Sequence, residues 1–219
     1  MRTRRPPDVA GLHLGPDREL ALVHTPAPVR DAMRAMFEID AGMGDVVARS
    51  TDPALARIKL AWWREQLEAL DSNPPPAEPR LQQVAKSLLP LGVTGSDIAN
   101  LEAGWATLLD PEVDSRLVAA RGAALFGLGA RLLRSDDRLV DEAGSLYALA
   151  AVGRRGVPEL LEHGKEHLAR LRGHRFDRRV RPLTMLARAA TRDIDRREAE
   201  WSHGRAIAML AHRWTGYIG

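Results

Sequence analysis

Apolar side chains recur every three or four residues along most of the chain, the spacing that places them on one face of an α-helix. The clearest stretch lies between residues 30 and 48, where the apolar positions are Met33, Met36, Phe37, Met43 and Val47. Ala, Leu, Arg and Glu, which favour helix, far outnumber the β-branched residues. No alternation of apolar and polar residues typical of strands competes with this pattern. The sequence therefore predicts an all-α fold.

Helix-breaking and capping residues divide this pattern into about eight helices. The first helix begins near Glu19, pauses at Pro26 or Pro28 and continues to about Ala48. The second has Asp52 as N-cap and Pro53 in its first turn, and runs to about Leu70. Further helices are predicted at 79–89, 96–109 (with Ser96 as N-cap), 111–134, 136–153, 157–171 and 180–213, the last with a break near Gly204.

The positions of prolines and glycines also predict the domain organisation. Residues 1–17 are rich in proline and glycine and are predicted to be irregular, whereas 18–219 form one helical domain. The run Pro74-Pro75-Pro76 stops a helix decisively. It is predicted to be a loop rather than a domain boundary, because neither flank is self-sufficient.

Composition excludes several classes of protein. The 219 residues contain no cysteine, so disulfides and thiolate metal sites are excluded. The net charge is only +3 and the arginines are interrupted by acids, unlike the basic stripe of a nucleic-acid-binding protein. No uncharged run approaches the roughly 20 residues needed to span a bilayer, and no apolar segment follows the basic start. These features predict a cytoplasmic protein.

A family resemblance is carried by the segment between residues 17 and 70. Residues 52–65 read Asp-Pro-Ala-Leu-Ala-Arg-Ile-Lys-Leu-Ala-Trp-Trp-Arg-Glu and follow a helix interrupted near Pro26 and Pro28. This order is similar to the squalene/phytoene synthase family, in which a helix with an Asp-rich motif precedes a helix ending in the signature Trp62-Trp63-Arg64. Weaker similarity extends to residues 144–149, 181–187 and 214–216. The chain resembles a degenerate branch of that family, one that includes mitochondrial complex I assembly factors.

The resemblance implies an isoprenoid-synthase fold, an antiparallel helical bundle around a central cavity. In active members two facing helices carry Asp-x-x-x-Asp-type motifs that hold Mg²⁺ against a prenyl diphosphate. Mg²⁺ needs such hard oxygen ligands to be held beside the charged leaving group.

This chain departs from both motifs. The first motif is expected at residues 44–48, where Asp45 is the only acid and Gly44 and Ala48 take the other positions. The second is expected around residues 151–155, where Ala151 and Arg155 stand in place of Asn and Asp. Both metal sites are therefore predicted to be dismantled.

Residues that would serve an active enzyme can still be named. The metal ligands would come from Asp45, Asp40, Asp137 and Asp141, and the diphosphate would be met by Arg49, Arg57 and Arg131. Asp40 lies five residues before Asp45, a separation that turns it off the same helix face. Asp137 and Asp141 are better explained as acids at a helix N-terminus, and the three arginines as solvated or ion-paired.

A second pattern, His163-Gly-Lys-Glu-His167, matches a short zinc-peptidase motif. Its third ligand would have to be Glu198, Glu200 or His203, and an exposed polar helix face explains the pattern better.

The remaining conspicuous residues are predicted to be structural. One of Trp62 and Trp63 fills the core and the other packs against a neighbouring helix or a partner. Trp201 and Trp214 are expected to anchor the last helix. Close helix packing or a bend is predicted at three glycines of one helix, Gly122, Gly127 and Gly129.

Two functions remain open. The preferred one is a non-catalytic binding or assembly module built on the synthase scaffold, with no cofactor and with a protein or a prenyl or other lipid as its partner. The alternative is an active Mg²⁺-dependent prenyl transferase that condenses prenyl diphosphates at an atypical metal site. The lipidic substrates of the family also imply peripheral contact with a membrane such as the inner membrane.

Overall fold

The computed structural model describes residues 14–196, 198–199 and 202–218. Its α-helices are α1 (Pro16–Val23), α2 (Ala27–Arg49), α3 (Pro53–Ala69), α4 (Pro79–Ser87), α5 (Gly95–Ala99), α6 (Glu102–Ala106), α7 (Ser115–Leu132), α8 (Val140–Gly153), α9 (Glu159–Leu171), α10 (Arg181–Arg196) and α11 (His203–Thr215). Over the described residues there is no strand, and one isolated antiparallel bridge joins Arg175 to Tyr217. The predicted all-α character is confirmed.

Proline and capping residues set the early boundaries, as predicted. Asp52 caps α3 by accepting hydrogen bonds from the backbone N–H of Ala54 (2.8 Å) and of Leu55 (3.4 Å), with Pro53 in the first turn. The start of α1 at Pro16 precedes the predicted start near Glu19, because proline suits the first position of a helix.

The prediction of one helix over 96–109 with Ser96 as N-cap is wrong. The cap is Thr94, whose hydroxyl accepts from the N–H of Asp97 while the Asp97 carboxylate accepts from the N–H of Thr94. Ser96 instead donates its hydroxyl to Asp71, 2.6 Å away. The segment then divides into α5, α6 and a short 3₁₀ turn at Leu109.

Later helices begin after their predicted positions because N-cap residues further along the chain set their first turns. Asp114 caps α7 through the N–H of Arg116, so the helix begins at Ser115 and not at 111. The segment predicted as one helix over 180–213 is two helices, and Ser202 caps the second by accepting from the N–H of Arg205. The predicted break near Gly204 therefore lies a few residues earlier, and Gly204 belongs to the first turn of α11.

Helix α8 is the centre of the bundle. It packs against α7, α9 and α10, and all its residues except Asp141 and Glu142 are buried. The crossing of α7 with α8 depends on two facing glycines: a Cβ added to Gly122 would lie 2.1 Å from the carbonyl oxygen of Gly144, and the converse distance is also 2.1 Å. The predicted close packing of α7 is confirmed at Gly122, and at Gly129, where a Cβ would lie 2.7 Å from Leu183.

The length and hydropathy of the helices decide whether any of them could span a membrane. Over the part of the chain that the structure describes, none of the helices combines the length and the apolar character that a transmembrane span requires.

The glycine crossing gives a direct test of the packing. Gly122→Ala is expected to lower the free energy of unfolding by about 1–3 kcal/mol, because the new methyl group forces the α7 and α8 backbones apart. Gly127→Ala in the same helix is the control: its Cβ would meet only Asp141 Oδ1, 3.4 Å away, so higher helix propensity makes the change neutral or stabilising. Urea denaturation compares the two variants, and equal effects would contradict this account of the crossing.

Candidate functional site

The first-motif position lies in a surface cleft between α2, α3 and α4. This cleft has a volume of about 300 Å³ and is lined by Gly42, Asp45, Val46, Arg49, Ser50, Lys59, Trp63 and Arg80. Asp45 is largely buried in its wall and lies 3.4 Å from Arg49, one helical turn further along α2. The structure thus combines two residues that the sequence nominated, Asp45 and Arg49, with two cations that it did not, Lys59 and Arg80.

Gly42 explains how Arg80 reaches this cleft. A Cβ at Gly42 would lie 2.5 Å from Nη1 of Arg80, so the guanidinium packs directly against the α2 backbone at this glycine. Within the described part of the chain, neither Arg80 nor Lys59 forms an ion pair with a carboxylate. Both side chains line the cleft.

The charge balance of the cleft favours an anion over a metal ion. Of the residues that the structure describes, three cationic side chains and a single carboxylate line it. Mg²⁺ takes oxygen ligands from carboxylates and substrate phosphates, and one ion-paired carboxylate among three cations does not fit it. A phosphate group, by contrast, is suited to Arg and Lys donors.

Asp40 lies away from this cleft, in the fully buried interior. Its Oδ1 accepts from Nη1 of Arg121 (2.6 Å) and from Nε1 of Trp105 (2.9 Å), and its Oδ2 accepts from Nη2 of Arg18. Arg18 also donates to the hydroxyl of Tyr147 (2.9 Å) and to the carbonyl of Phe37 (3.0 Å). We call these four side chains around Asp40 (Arg18, Trp105, Arg121 and Tyr147), together with Asp40 itself, the central network.

The central network joins five helices, α1, α2, α6, α7 and α8, and keeps Asp40 ionised. Burial by itself would raise the pKa of Asp40, but the positive charges of Arg121 and then Arg18 outweigh it and lower that pKa. The Arg121 guanidinium also lies 3.9 Å from the centre of the Trp105 ring, a cation–π contact. Asp40 is therefore an ionised structural anion, and both of its oxygens are occupied by donors from the protein.

A glycine at the contact between α6 and α7 positions the central network. A Cβ at Gly104 would lie 2.4 Å from Cβ of Arg121, so glycine at this point lets α6 approach α7 and brings Trp105 against the guanidinium.

The sequence contains a signal for the central network. Asp40 and Arg121 each lie in phase with an apolar helix face, at positions where a core residue is expected. Such a charge is a candidate for a buried ion pair.

The second-motif position is basic. Arg155 on the end of α8 donates from Nη1 to the carbonyl of Ala151 at 3.2 Å. Burial, and after it the neighbouring charge of Arg154, lowers the pKa of Arg155 to about 10. A carboxylate at this position would help to hold Mg²⁺, whereas a guanidinium repels it.

A second buried ion network stands beside Arg155. Arg205 on α11 makes two bonds to Asp193 on α10, at 2.6 and 3.0 Å, and a third to Asp17 on α1 at 2.6 Å. Arg154 approaches the same Asp193 at 3.6 Å. Burial raises the pKa of Asp193 in spite of these cations. The acids Asp17 and Asp193 are thus paired with arginine in this network.

The Asp137/Asp141 pair forms a structural turn. Asp137 accepts from the N–H groups of Leu139 (3.2 Å) and Asp177 (2.9 Å) and lies 2.7 Å from Nε2 of His174. Asp141 lies in the first turn of α8, where the helix dipole favours an acid. Among residues 14–196, 198–199 and 202–218, no group of three His, Cys, Asp or Glu side chains is placed to hold a metal ion.

The other nominated arginines are ion-paired at the surface. Arg57 lies 2.6 Å from Asp110, and Arg131 lies 2.9 Å from Asp97 and also donates to the carbonyl of Gly92. Neither lines the cleft that contains Arg49.

The Trp-Trp-Arg signature divides between core and surface. Trp63 is buried and lines the cleft, Trp62 is 41% exposed, and their rings meet edge to face at 5.3 Å. The prediction that only one of the two fills the core is confirmed. Arg64 is exposed and lies 3.9 Å from Glu68, one turn away on the same helix.

The remaining predicted residues are the histidines of the zinc-peptidase pattern and the C-terminal tryptophans. His163 is exposed and contacts the carbonyl of Glu159, while Nδ1 of His167 lies 2.5 Å from Glu142. The expectation that Trp214 anchors the last helix is wrong, since Trp214 is 81% exposed. Trp201, and Glu200 of the zinc pattern, lie outside the described residues.

Comparison with known proteins identifies no relative. No family model, curated protein or solved structure matches this chain.

The central network predicts a large effect of neutralising Asp40. Asp40→Asn keeps the shape of the side chain but leaves two buried guanidiniums without a counter-charge, so we expect a loss of about 3–5 kcal/mol in the free energy of unfolding. The exposed pair Arg57–Asp110 provides the control, and Asp110→Asn is expected to cost less than about 1 kcal/mol. Chemical denaturation measures both, and a small effect of Asp40→Asn would show that the network does not hold the helices together.

The same residue predicts a pH dependence. Because the folded-state pKa of Asp40 is lowered, its ionised form stabilises the protein fully above the unfolded-state pKa of about 3.9. That contribution is lost as the pH falls towards the folded-state pKa. The difference in unfolding free energy between the wild type and Asp40→Asn is therefore expected to be constant at neutral pH and to shrink below about pH 4. A difference that grows on acidification would contradict the assignment.

Proposed function

We propose that this protein is a squalene/phytoene synthase-like binding or assembly module that does not carry out metal-assisted prenyl transfer. One observation carries the proposal: arginines surround or replace carboxylates where the catalytic chemistry would need acids. Asp40 is held by two guanidiniums, and Arg155 stands at the second-motif position. The synthase-like fold itself is proposed from the order of α1, α2 and the Trp62-Trp63-Arg64 helix.

The electrostatics explain why this arrangement disfavours catalysis. Ionisation of a prenyl diphosphate requires Mg²⁺ to neutralise the departing diphosphate, and Mg²⁺ must be held by several oxygen ligands. Asp45 is the acid that lines the cleft within the described part of the chain, and it already lies against Arg49. An arginine-rich site can bind the diphosphate group directly but cannot supply the metal clamp.

The ligand that fits the cleft is an anion of phosphate or diphosphate type. Lys59 and Arg80 face it from α3 and α4, and Trp63 adds an apolar wall beside them. A prenyl diphosphate has both an anionic group for the cations and an apolar chain for the tryptophan. An assembly role in respiratory complex I follows from the family resemblance alone.

Ligand binding and turnover separate this proposal from its alternative. Purified protein incubated with farnesyl or geranylgeranyl diphosphate and Mg²⁺ is expected to release no diphosphate. Mg²⁺-dependent turnover that Asp45→Ala abolishes would establish the active prenyl transferase instead.

Binding of the same diphosphates, measured by calorimetry, is expected to be equal in Mg²⁺ and in EDTA. The double variant Lys59→Gln/Arg80→Gln should weaken binding by about tenfold or more, because two charge-assisted contacts are lost. Arg57→Gln, on the same helix as Lys59 but outside the cleft, should bind like the wild type. Equal affinity of all three proteins would mean that this cleft is not the binding site.

A further inference from the structure

Helix α11 carries an apolar stripe that nothing in the described structure covers. Ile207, Leu210 and Trp214 lie three and four residues apart, so they share one face of the helix. Their exposed fractions are 66%, 37% and 81%. The opposite face is buried in the bundle through Arg205, Ala208, Met209 and His212.

Helix α1 also ends in an exposed apolar residue. Val23, the last residue of that helix, is 67% exposed. The adjacent His24 has its pKa lowered first by burial and then by the charge of Arg213, which lies in the C-terminal turn of α11. We call the three residues of the stripe, Ile207, Leu210 and Trp214, the α11 face.

Arginines surround the Trp214 end of this face. Arg175 donates from Nε to the carbonyl of Thr215 at 3.0 Å, and Arg181 donates from Nη1 to the carbonyl of Trp214 at 2.7 Å. Arg181 is itself buried, and its pKa is lowered first by that burial and then by the charges of Arg175, Arg178 and Arg213, whereas Asp177 acts in the opposite direction. These groups therefore lie near one another. Between residues 202 and 218 the sequence contains no Asp or Glu.

A second exposed apolar stripe provides the contrast. On α3, the side chains of Leu55, Ile58 and Trp62 are 46%, 66% and 41% exposed at the same helical spacing. That helix exposes acids as well as bases around its stripe: Glu65 and Glu68 stand among Arg57, Lys59 and Arg64. The two acids would be repelled by an anionic surface, whereas residues 202–218, which contain the α11 stripe, include bases but no acid. The two stripes have similar residue types and differ in the charges around them.

We infer that the α11 face is a docking surface for an anionic phospholipid membrane. Trp, Ile and Leu would enter the boundary between headgroups and acyl chains, where tryptophan is favoured. The exposed Arg175 and Arg178 would meet lipid phosphates, each contributing attraction that salt weakens. This complementarity of apolar stripe and cations favours a lipid surface as the occupant. The inference is independent of the proposed function, because none of these residues lines the cleft.

Flotation with lipid vesicles tests the inference. The full chain is mixed with vesicles of phosphatidylcholine alone or of phosphatidylcholine and phosphatidylglycerol at about 7:3, a mixture that models the negative surface of a membrane. Binding is expected only to the anionic vesicles and is expected to fall as salt is raised. Failure to bind anionic vesicles, or equal binding to neutral ones, would overturn the inference.

Variants locate the surface. Ile207→Ser/Trp214→Ser is expected to weaken binding to the anionic vesicles at least tenfold, whereas the matched pair Ile58→Ser/Trp62→Ser on α3 should bind like the wild type. Arg175→Gln/Arg178→Gln should weaken binding and flatten its salt dependence. Equal loss in the α11 and α3 variants would contradict the assignment.

Two control measurements test whether the variants are folded and whether the chain self-associates. Wild-type circular dichroism is expected for both Ser/Ser variants, although Ile58→Ser/Trp62→Ser loses the edge-to-face contact of Trp62 with Trp63 and is expected to melt at a lower temperature. A misfolded α11 variant would be replaced by Trp214→Ser alone, whose binding must still fall. Light scattering without vesicles distinguishes a second copy of the chain as occupant. A dimer in the wild type that Ile207→Ser/Trp214→Ser dissociates would overturn the lipid assignment.

Discussion

The buried bonds between Asp40 and its two arginines are the interaction on which the rest of the structure depends. They connect α1, α2 and α7, while Trp105 and Tyr147 bring α6 and α8 to the same point. Removing charges from water is costly, and only this dense set of partners makes the arrangement tolerable. The helices can therefore pack in this register only if all the partners are in place together, and Gly104 and Gly122 supply the close approaches that this requires.

The central network also constrains what chemistry the bundle can perform. A carboxylate that satisfies two guanidiniums and an indole N–H has no oxygen left for a metal ion. Asp193, a second buried acid, is committed in the same way to Arg205 and Arg154. Acids and arginines are thus paired inside the fold, and cations outnumber acids among the described residues that line the cleft beside Asp45. That distribution suits recognition of an anion better than metal-assisted bond cleavage.

The fold class and many helix boundaries could be predicted because they depend on local signals. Apolar periodicity marks α2 and α3, and Asp52 with Pro53 fixes the start of α3 through backbone hydrogen bonds. The start of α5 was misplaced although its signal is local: Thr94 and Asp97 form a capping box within four residues, while the neighbouring Ser96 donates to Asp71 in a distant loop. The partners of Asp40 were missed for a different reason: Arg18, Trp105 and Arg121 are far apart in sequence, and only tertiary packing brings them together. Lys59 and Arg80 likewise come from separate helices, and nothing in their local sequence marks them as neighbours of Asp45.

Diffraction from crystals soaked with Mn²⁺ and methylenediphosphonate tests the central claim most directly, because the anomalous signal of Mn²⁺ locates the metal and the phosphonate reports the anion. The account predicts the diphosphonate bound by Lys59 and Arg80 in the cleft, no Mn²⁺ peak at Asp45, and Asp40 still held by Arg18 and Arg121. A Mn²⁺ ion bridging Asp45 and the diphosphonate would contradict it, and so would release of Asp40 from its arginines to coordinate the metal.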